Sequence, residues 1–251
     1  KQQRGKARMK EAGAGAVASR PMCEHFVARA TQRFALGELW EFAGRLERFG
    51  LAGWGWGAAW LAPDGGLASH RDPGPFRDDP AIDRLAGMET TSALVHLRRP
   101  SKLSTVGLAD TQPFLDPAGR FAFSHNGDLR DVRVARRRYL AQGRIVGRAD
   151  SEVGQRWLED RWAGAPDATS TLAAMHETFP GQANLLALGC DGGAHVYAGN
   201  TENPVFTFRL GRIGVASTGI YSIDRSVFRF VAPGATERHV VRPGHGVTLG
   251  P

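Results

Sequence analysis

Apolar and polar positions alternate through CEHFVARA from Cys23, which predicts a short strand. The next apolar set, in ELWEFAGRLERFG from Glu38, recurs at helical spacing and stops at Gly50. WGWGAAWLAPDGGLASH predicts two strands around an Asp-Gly-Gly turn. TTSALVHLRR, Thr90 to Arg99, is a continuous apolar strand ending in charge, and after a long irregular segment the strand FAFSH follows. Asn126 and Gly127 come next, and both tolerate the positive φ angles of a tight hairpin turn. No matching second strand follows. DLRDVRVARRRYLAQG instead places Leu129, Val132, Ala135, Tyr139 and Leu140 at helical spacing, so Asn-Gly is read as a strand-to-helix junction. Ser151 in GRADSEVGQRWLEDRW is placed to cap a helix, and a second helix is expected near Thr169 to Phe179. The last third reads as short β segments: ANLLALGC, AHVYAG, PVFTFRL, RIGVAST and HVVRPGHGVTL. Strands with helices grouped between them, without a regular βαβ rhythm, predict α+β layers.

Composition adds bounds rather than detail. With 251 residues, 42% hydrophobic, the chain can bury one sizeable core. No apolar run approaches the roughly 18 residues of a membrane span, so a soluble protein is expected. Residues 1–22 are basic and then Ala/Gly-rich, without the apolar core of a secretory signal. They are read as a disordered leader, a propeptide or a mis-assigned start, with one domain over 23–251. The net charge of +7 raises nucleic acid as a partner. Six of the basic residues lie before position 21, however, and Arg130, Arg133, Arg136, Arg137 and Arg138 share one predicted helix. Such clusters are usually solvated faces, and no nucleic-acid motif accompanies them. Two cysteines, Cys23 and Cys190, suit a reducing, cytoplasmic compartment.

Candidate chemistry gathers at the ends of the predicted strands: Cys23, Arg98, the pair Asn126 and Gly127, and Asp150 in RADSE. Each alone has a bland reading as a small buried hydrophobe, a surface charge, a turn, or a helix N-terminal acid. Cys190 and the alternating Trp54, Trp56 and Trp60 are read as packing, and His25 as a structural histidine. His70, His176, His195, His239 and His245 show no metal-ligand spacing, and no metal is expected.

Taken in order, Met22-Cys23, His96-Leu97-Arg98, His125-Asn126-Gly127 and Asp150-Ser151-Glu152 resemble the class II glutamine amidotransferases, most strongly between Val95 and Val153. The resemblance implies a four-layer αββα sandwich of the N-terminal-nucleophile hydrolase type, with two antiparallel sheets between helical layers. It implies Cys23 as nucleophile, Asn126 and Gly127 as the oxyanion hole, Arg98 on the substrate carboxylate and Asp150 on its ammonium. It implies no cofactor. An N-terminal cysteine needs no histidine base, because its own α-amine, with a free pKa of about 7.7–8.0, can exchange a proton with the thiol. Three readings of residues 1–22 stay open: a start at Met22, a propeptide cut by Cys23, or an inactive homologue. The sequence departs from the family in Arg99-Pro100-Ser101 and in Asp110-Thr111-Gln112-Pro113-Phe114, where many relatives have Asn-x-His-Pro. The implied reaction is hydrolysis of glutamine through a thioester, with ammonia passed to a separate synthase partner. The alternatives are a stand-alone hydrolase of another γ-glutamyl compound, as in ergothioneine-pathway and glutathione-degrading relatives, or a non-catalytic basic binding module.

Overall fold

The computed structural model of the protein describes residues 23–162, 168–219 and 225–250. The expected leader, residues 1–22, lies outside the described residues. In chain order the elements are β1 (Glu24–Ala35), α1 (Trp40–Gly50), β2 (Trp56–Leu61), β3 (Leu67–Asp72), α2 (Ala81–Ala86) and β4 (Glu89–Leu97). Then come β5 (Phe114–Leu115), β6 (Phe121–Gly127), α3 (Arg133–Ala141), α4 (Asp150–Glu159), α5 (Ala168–Thr178) and β7 (Ala183–Gly189). The chain finishes with β8 (Ala194–Gly199), β9 (Val205–Leu210), β10 (Ile213–Thr218), α6 (Arg225–Val231), β11 (Ala235–Val240) and β12 (His245–Leu249).

The strands form two antiparallel sheets. One has the order β11-β9-β10-β1-β4-β2-β3 and the other β12-β8-β7-β6-β5. The two sheets stack, with α1, α2 and α6 covering the larger and α3, α4 and α5 the smaller, which is the expected αββα sandwich. Strand alternation divides the apolar residues among three cores. Phe26, Ala28, Val95 and Leu97 face the first helical layer with Phe42, Leu46 and Phe228. Phe121, Phe123, Leu185 and Ala187 face the second with Val153, Trp157 and Leu172. Between the sheets lie Val27, Leu94, Ala122, Leu186, Leu188 and Val196.

The same alternation extends past the aliphatic residues to one end of the sandwich. Following Val27, Leu94, Ala122 and Leu186 along their strands by steps of two gives His25 and Cys23, His96 and Arg98, Ser124 and Asn126, and Asn184. Paired registers set these side by side: His25 opposite His96, and Asn126 opposite Asn184. The inter-sheet layer is therefore aliphatic through its middle and richly polar at this end.

Several details differ from the sequence reading. Cys190 sits in a turn after β7 and is exposed, not core. It turns outward because β7 ends at Gly189. Trp54 precedes β2 and is 48% exposed, whereas Trp56 and Trp60 are buried as expected. Ser151 does not cap α4: Ala149 is the N-cap residue, and the Asp150 carboxylate accepts the Ser151 N–H at 2.9 Å. HVVRPGHGVTL is not one segment but two strands in different sheets, β11 beside β9 and β12 beside β8. The helix after Glu38 does end at Gly50, but the left-handed residue is Leu51, with φ 53°. Gly50 is required for another reason, since a Cβ there would lie 2.6 Å from Cγ of buried Glu24. Among the described residues, no helix is long and apolar enough to cross a membrane.

Three histidines at the polar end are sealed from solvent. His25 Nδ1 and His96 Nδ1 lie 2.9 and 2.8 Å from the Ser124 hydroxyl, which carries only one hydrogen, so at least one ring donates. Burial pushes the pKa of His25 and of His96 well below the usual imidazole value, and that of His125 below it, so all three are neutral in the fold. In the unfolded chain they protonate near pH 6.5. Their neutral burial therefore leaves stability intact above that pH and removes it as pH falls, by up to about 1.4 kcal/mol per histidine per pH unit. The urea midpoint should drop steeply between pH 7 and 5.5, and His96→Gln should flatten the slope. An acid-insensitive midpoint over that range would contradict neutral burial.

Candidate active site

The polar end of the sandwich opens into a pocket of about 430 Å³, within the range of small-molecule sites. Four of the five residues singled out in the sequence line it: Cys23, Arg98, Gly127 and Asp150. Asn126, the fifth, is fully buried just behind the wall. Its side-chain amide donates to the Cys23 carbonyl. The amide nitrogen has two hydrogens, so one remains for another acceptor.

Cys23 is half-buried at the start of β1. Its sulfur accepts the Arg99 N–H at 3.3 Å and lies 3.7 Å from the Arg99 carbonyl. Burial pushes its thiol up to about 11, against the pull of the Arg99 N–H and the nearby Arg98 guanidinium. The thiol is thus protonated at neutral pH and needs a base at the moment of attack. None of the described hydrogen bonds to this sulfur comes from an imidazole. His25, two residues on and on the same strand face, is instead engaged with Ser124.

Arg98 directly follows β4, in step with Leu94 and His96. Its side chain is buried, burial lowers the guanidinium's pKa, and Nη1 meets no hydrogen-bond partner among the described residues. An arginine stays charged even so, which makes this buried donor edge suited to a carboxylate. Gly127 has φ +117°, and a Cβ there would meet the Gln182 carbonyl oxygen at 1.7 Å. No other residue fits. Asn-Gly is thus neither a hairpin nor a generic turn: it closes β6 where β6 presses against the segment entering β7.

Asp150 begins α4, and its carboxylate accepts the Leu129 N–H at 2.7 Å as well as that of Ser151. The approach to it is fixed by side chains that sequence reasoning did not single out. Buried Asp110 accepts the N–H groups of Arg148 and Ala149, both at 2.7 Å. Buried Glu152 accepts those of Val146 and Gly147, at 2.9 and 2.8 Å. Arg136 donates to the carbonyls of Gly147, Arg148 and Ala149. Four consecutive N–H groups are therefore held by two carboxylates, and three of the same residues' carbonyls by one guanidinium.

Gln112 lines the pocket and engages both the nitrogen and the oxygen of its amide. It accepts the His125 N–H at 2.6 Å and donates to the His125 carbonyl at 3.2 Å, extending the pairing of β6 beyond β5. The arginine-rich helix is less of a free basic face than its composition suggested. Besides Arg136, Arg138 pairs with Asp160, and Arg130, just before the helix, with Asp128. Cys23 and Cys190 are both free thiols.

The family model for class-II glutamine amidotransferases matches residues 22–192, which include all five of these site residues. Among solved structures, the fold is similar to the glutamine phosphoribosylpyrophosphate amidotransferase from B. subtilis complexed with ADP and GMP. That likeness has a TM-score of 0.69 at 19% identity and covers 90% of this chain and 47% of the other. A structure described as the allosteric regulatory enzyme of purine biosynthesis gives 0.70 at 19%, covering 90% and 46%. This chain thus spans about half the length of both. A glutamine aminotransferase class-II domain protein from Silicibacter pomeroyi gives 0.57 at 17%, covering 91% of this chain and 95% of the other. Comparison with curated proteins finds no match. With about two thirds of its length matched by the family model, and with an αββα sandwich shared with those structures, the chain belongs to the class-II glutamine amidotransferases.

Proposed function

We propose that the pocket hydrolyses the side-chain amide of glutamine, or of a related γ-glutamyl compound, through a thioester on Cys23. The observation that carries this reading is the convergence of Cys23, Arg98, Gly127 and Asp150 on one pocket, with the Asn126 amide directed at Cys23. Arg98 takes the substrate α-carboxylate and Asp150 its α-ammonium, as charge-assisted hydrogen bonds. With Cys23 as the first residue of the mature chain, its α-amine takes the thiol proton and the sulfur attacks the amide carbon. Asn126 Nδ2 and the Gly127 N–H then receive the oxyanion. The C–N bond breaks as the amine returns the proton to the departing nitrogen, and water cleaves the thioester to release glutamate. The two free thiols suit work in the cytoplasm, with ammonia passing to a separate acceptor enzyme.

A second reading is favoured by the charge of the pocket lining. Five cations line it, Arg98, Arg99, Lys102, Arg136 and Arg148, against three carboxylates, Asp110, Asp128 and Asp150. The glutamyl head, with one charge of each sign, leaves that excess unanswered. Exposed Lys102 and Arg148 suit a γ-glutamyl amide whose departing amine itself bears a carboxylate.

Protein expressed from Met22 should lose its methionine and take a single adduct at Cys23 from a glutamine-mimicking diazoketone, read by intact mass and peptide mapping. No adduct on the processed protein would count against a glutamine-shaped pocket. Asn126→Ala should lower kcat by roughly 10²–10³, the cost of a lost oxyanion donor. Arg98→Met should act mainly on KM, and steady-state glutamate release separates the two effects. Comparing γ-glutamylglycine, γ-glutamylethylamide and glutamine under the same assay decides between the two readings: a carboxylate-dependent gain of about tenfold in kcat/KM would favour the second.

A further inference from the structure

Asn184 is the one polar residue among the alternating inward positions of β7, where Leu186 and Leu188 pack into the inter-sheet core. It is fully buried, and an amide there is tolerated only if its donors and acceptor are satisfied. Its Oδ1 accepts the backbone N–H of Asn200 at 3.1 Å. Its Nδ2 donates to the backbone carbonyl of Asn203 at 2.7 Å and to Asn126 Oδ1 at 3.2 Å.

These backbone partners determine the orientation of the amide. A backbone N–H can only donate and a carbonyl can only accept, so turning the Asn184 amide over would set oxygen against oxygen and N–H against N–H. Its NH₂ edge must therefore face Asn126. Asn126 must in turn answer with its oxygen, which directs its own NH₂ edge the other way, toward Cys23. The anchor is itself braced. Asn200 Oδ1 accepts the Asn203 N–H at 3.1 Å, and Asn203 Oδ1 accepts the Gly219 N–H at 3.2 Å.

We propose that Asn184 is a positioning residue that fixes the donor edge of Asn126 toward the reacting carbonyl, through a relay of fixed polarity that starts at the Asn200–Asn203 backbone. This inference rests on the role given to Asn126 above. Asn184 does not touch the substrate, so its loss acts on the orientation of a transition-state donor and not on ground-state binding.

The test is steady-state hydrolysis of glutamine and γ-glutamylglycine by the processed enzyme carrying Asn184→Leu, Asn126→Ala or both, with urea midpoints to establish folding. Asn184→Leu keeps the approximate shape of the side chain and removes its donors and acceptor. It should lower kcat about ten- to hundredfold, below the loss for a deleted donor, with KM changed less than twofold. In the Asn126→Ala background it should add little, because the group it positions is gone. If Asn184→Leu does not fold, Asn184→Asp supplies the same readout, since an ionised carboxylate has acceptors only and invites Asn126 to turn its NH₂ edge away from Cys23. A kcat like that of the unmutated enzyme in a folded Asn184 variant, or a full additional loss on top of Asn126→Ala, would overturn the proposal. Failure of the underlying reading looks different: Asn126→Ala would then hydrolyse both substrates as fast as the unmutated enzyme.

Discussion

A polar group sealed between two sheets is costly unless it is hydrogen-bonded there, and this constraint shapes one end of the molecule. The rest of the inter-sheet layer follows the simpler rule of small and branched aliphatic side chains, Ala59, Ala122, Ala194 and Ala216 among Leu and Val, which lets two pleated surfaces approach closely. At the other end the same strand faces carry serine, histidine and asparagine. Many of these groups find a partner across the gap or across the ladder, Ser124 with two imidazoles and Asn126 with Cys23 and Asn184, while His25 Nε2 and His96 Nε2 meet none among the described residues. The sulfur of Cys23, the amide of Asn126 and the buried guanidinium of Arg98 are the last groups of that polar layer before it opens to the pocket.

The pocket has two unlike walls. One is made of strand ends, whose positions are fixed by seven- and five-stranded ladders. The other is mostly irregular chain, from Arg98 to Pro113 and on both sides of α3 between Asp128 and Asp150, where recognition groups are commonly carried on a rigid scaffold. Carboxylates tie the second wall together in place of a ladder. Asp110, from the segment that follows Arg98, holds the amides leading to Asp150, so the groups assigned to the two ends of the glutamyl head are mechanically linked.

Much of this was legible in the sequence, unevenly. The strands read at 23–30, 90–99 and 121–125 and the helix read near 169–179 correspond to β1, β4, β6 and α5, and the five residues singled out stood at strand ends and in the motifs that carry the family resemblance. What was not legible depended on partners distant in sequence. The exposed Cys190 and Trp54 look like core residues because local composition does not reveal that their strands end at 189 and begin at 56. Gln112 looked like a loss, yet its amide reproduces a strand's donor and acceptor against His125, thirteen residues away. Asn184 carried a readable signal, a polar residue in step with Leu186 and Leu188, but its meaning needed Asn126 beside it. The basic helix misled by composition alone, since Arg136 is spent on backbone carbonyls that no periodicity discloses.

The segment Val146–Ala149 illustrates how irregular chain can be made stiff. Surface loops commonly open at little free-energy cost, whereas here four successive N–H groups and three carbonyls are engaged by side chains. Such a loop exchanges its amide hydrogens with solvent only when the carboxylates let go, placing it with the sheets in a hydrogen-exchange experiment. A ligand that reaches Asp150 meets a wall that is already ordered, and little conformational entropy is left there to be lost on binding.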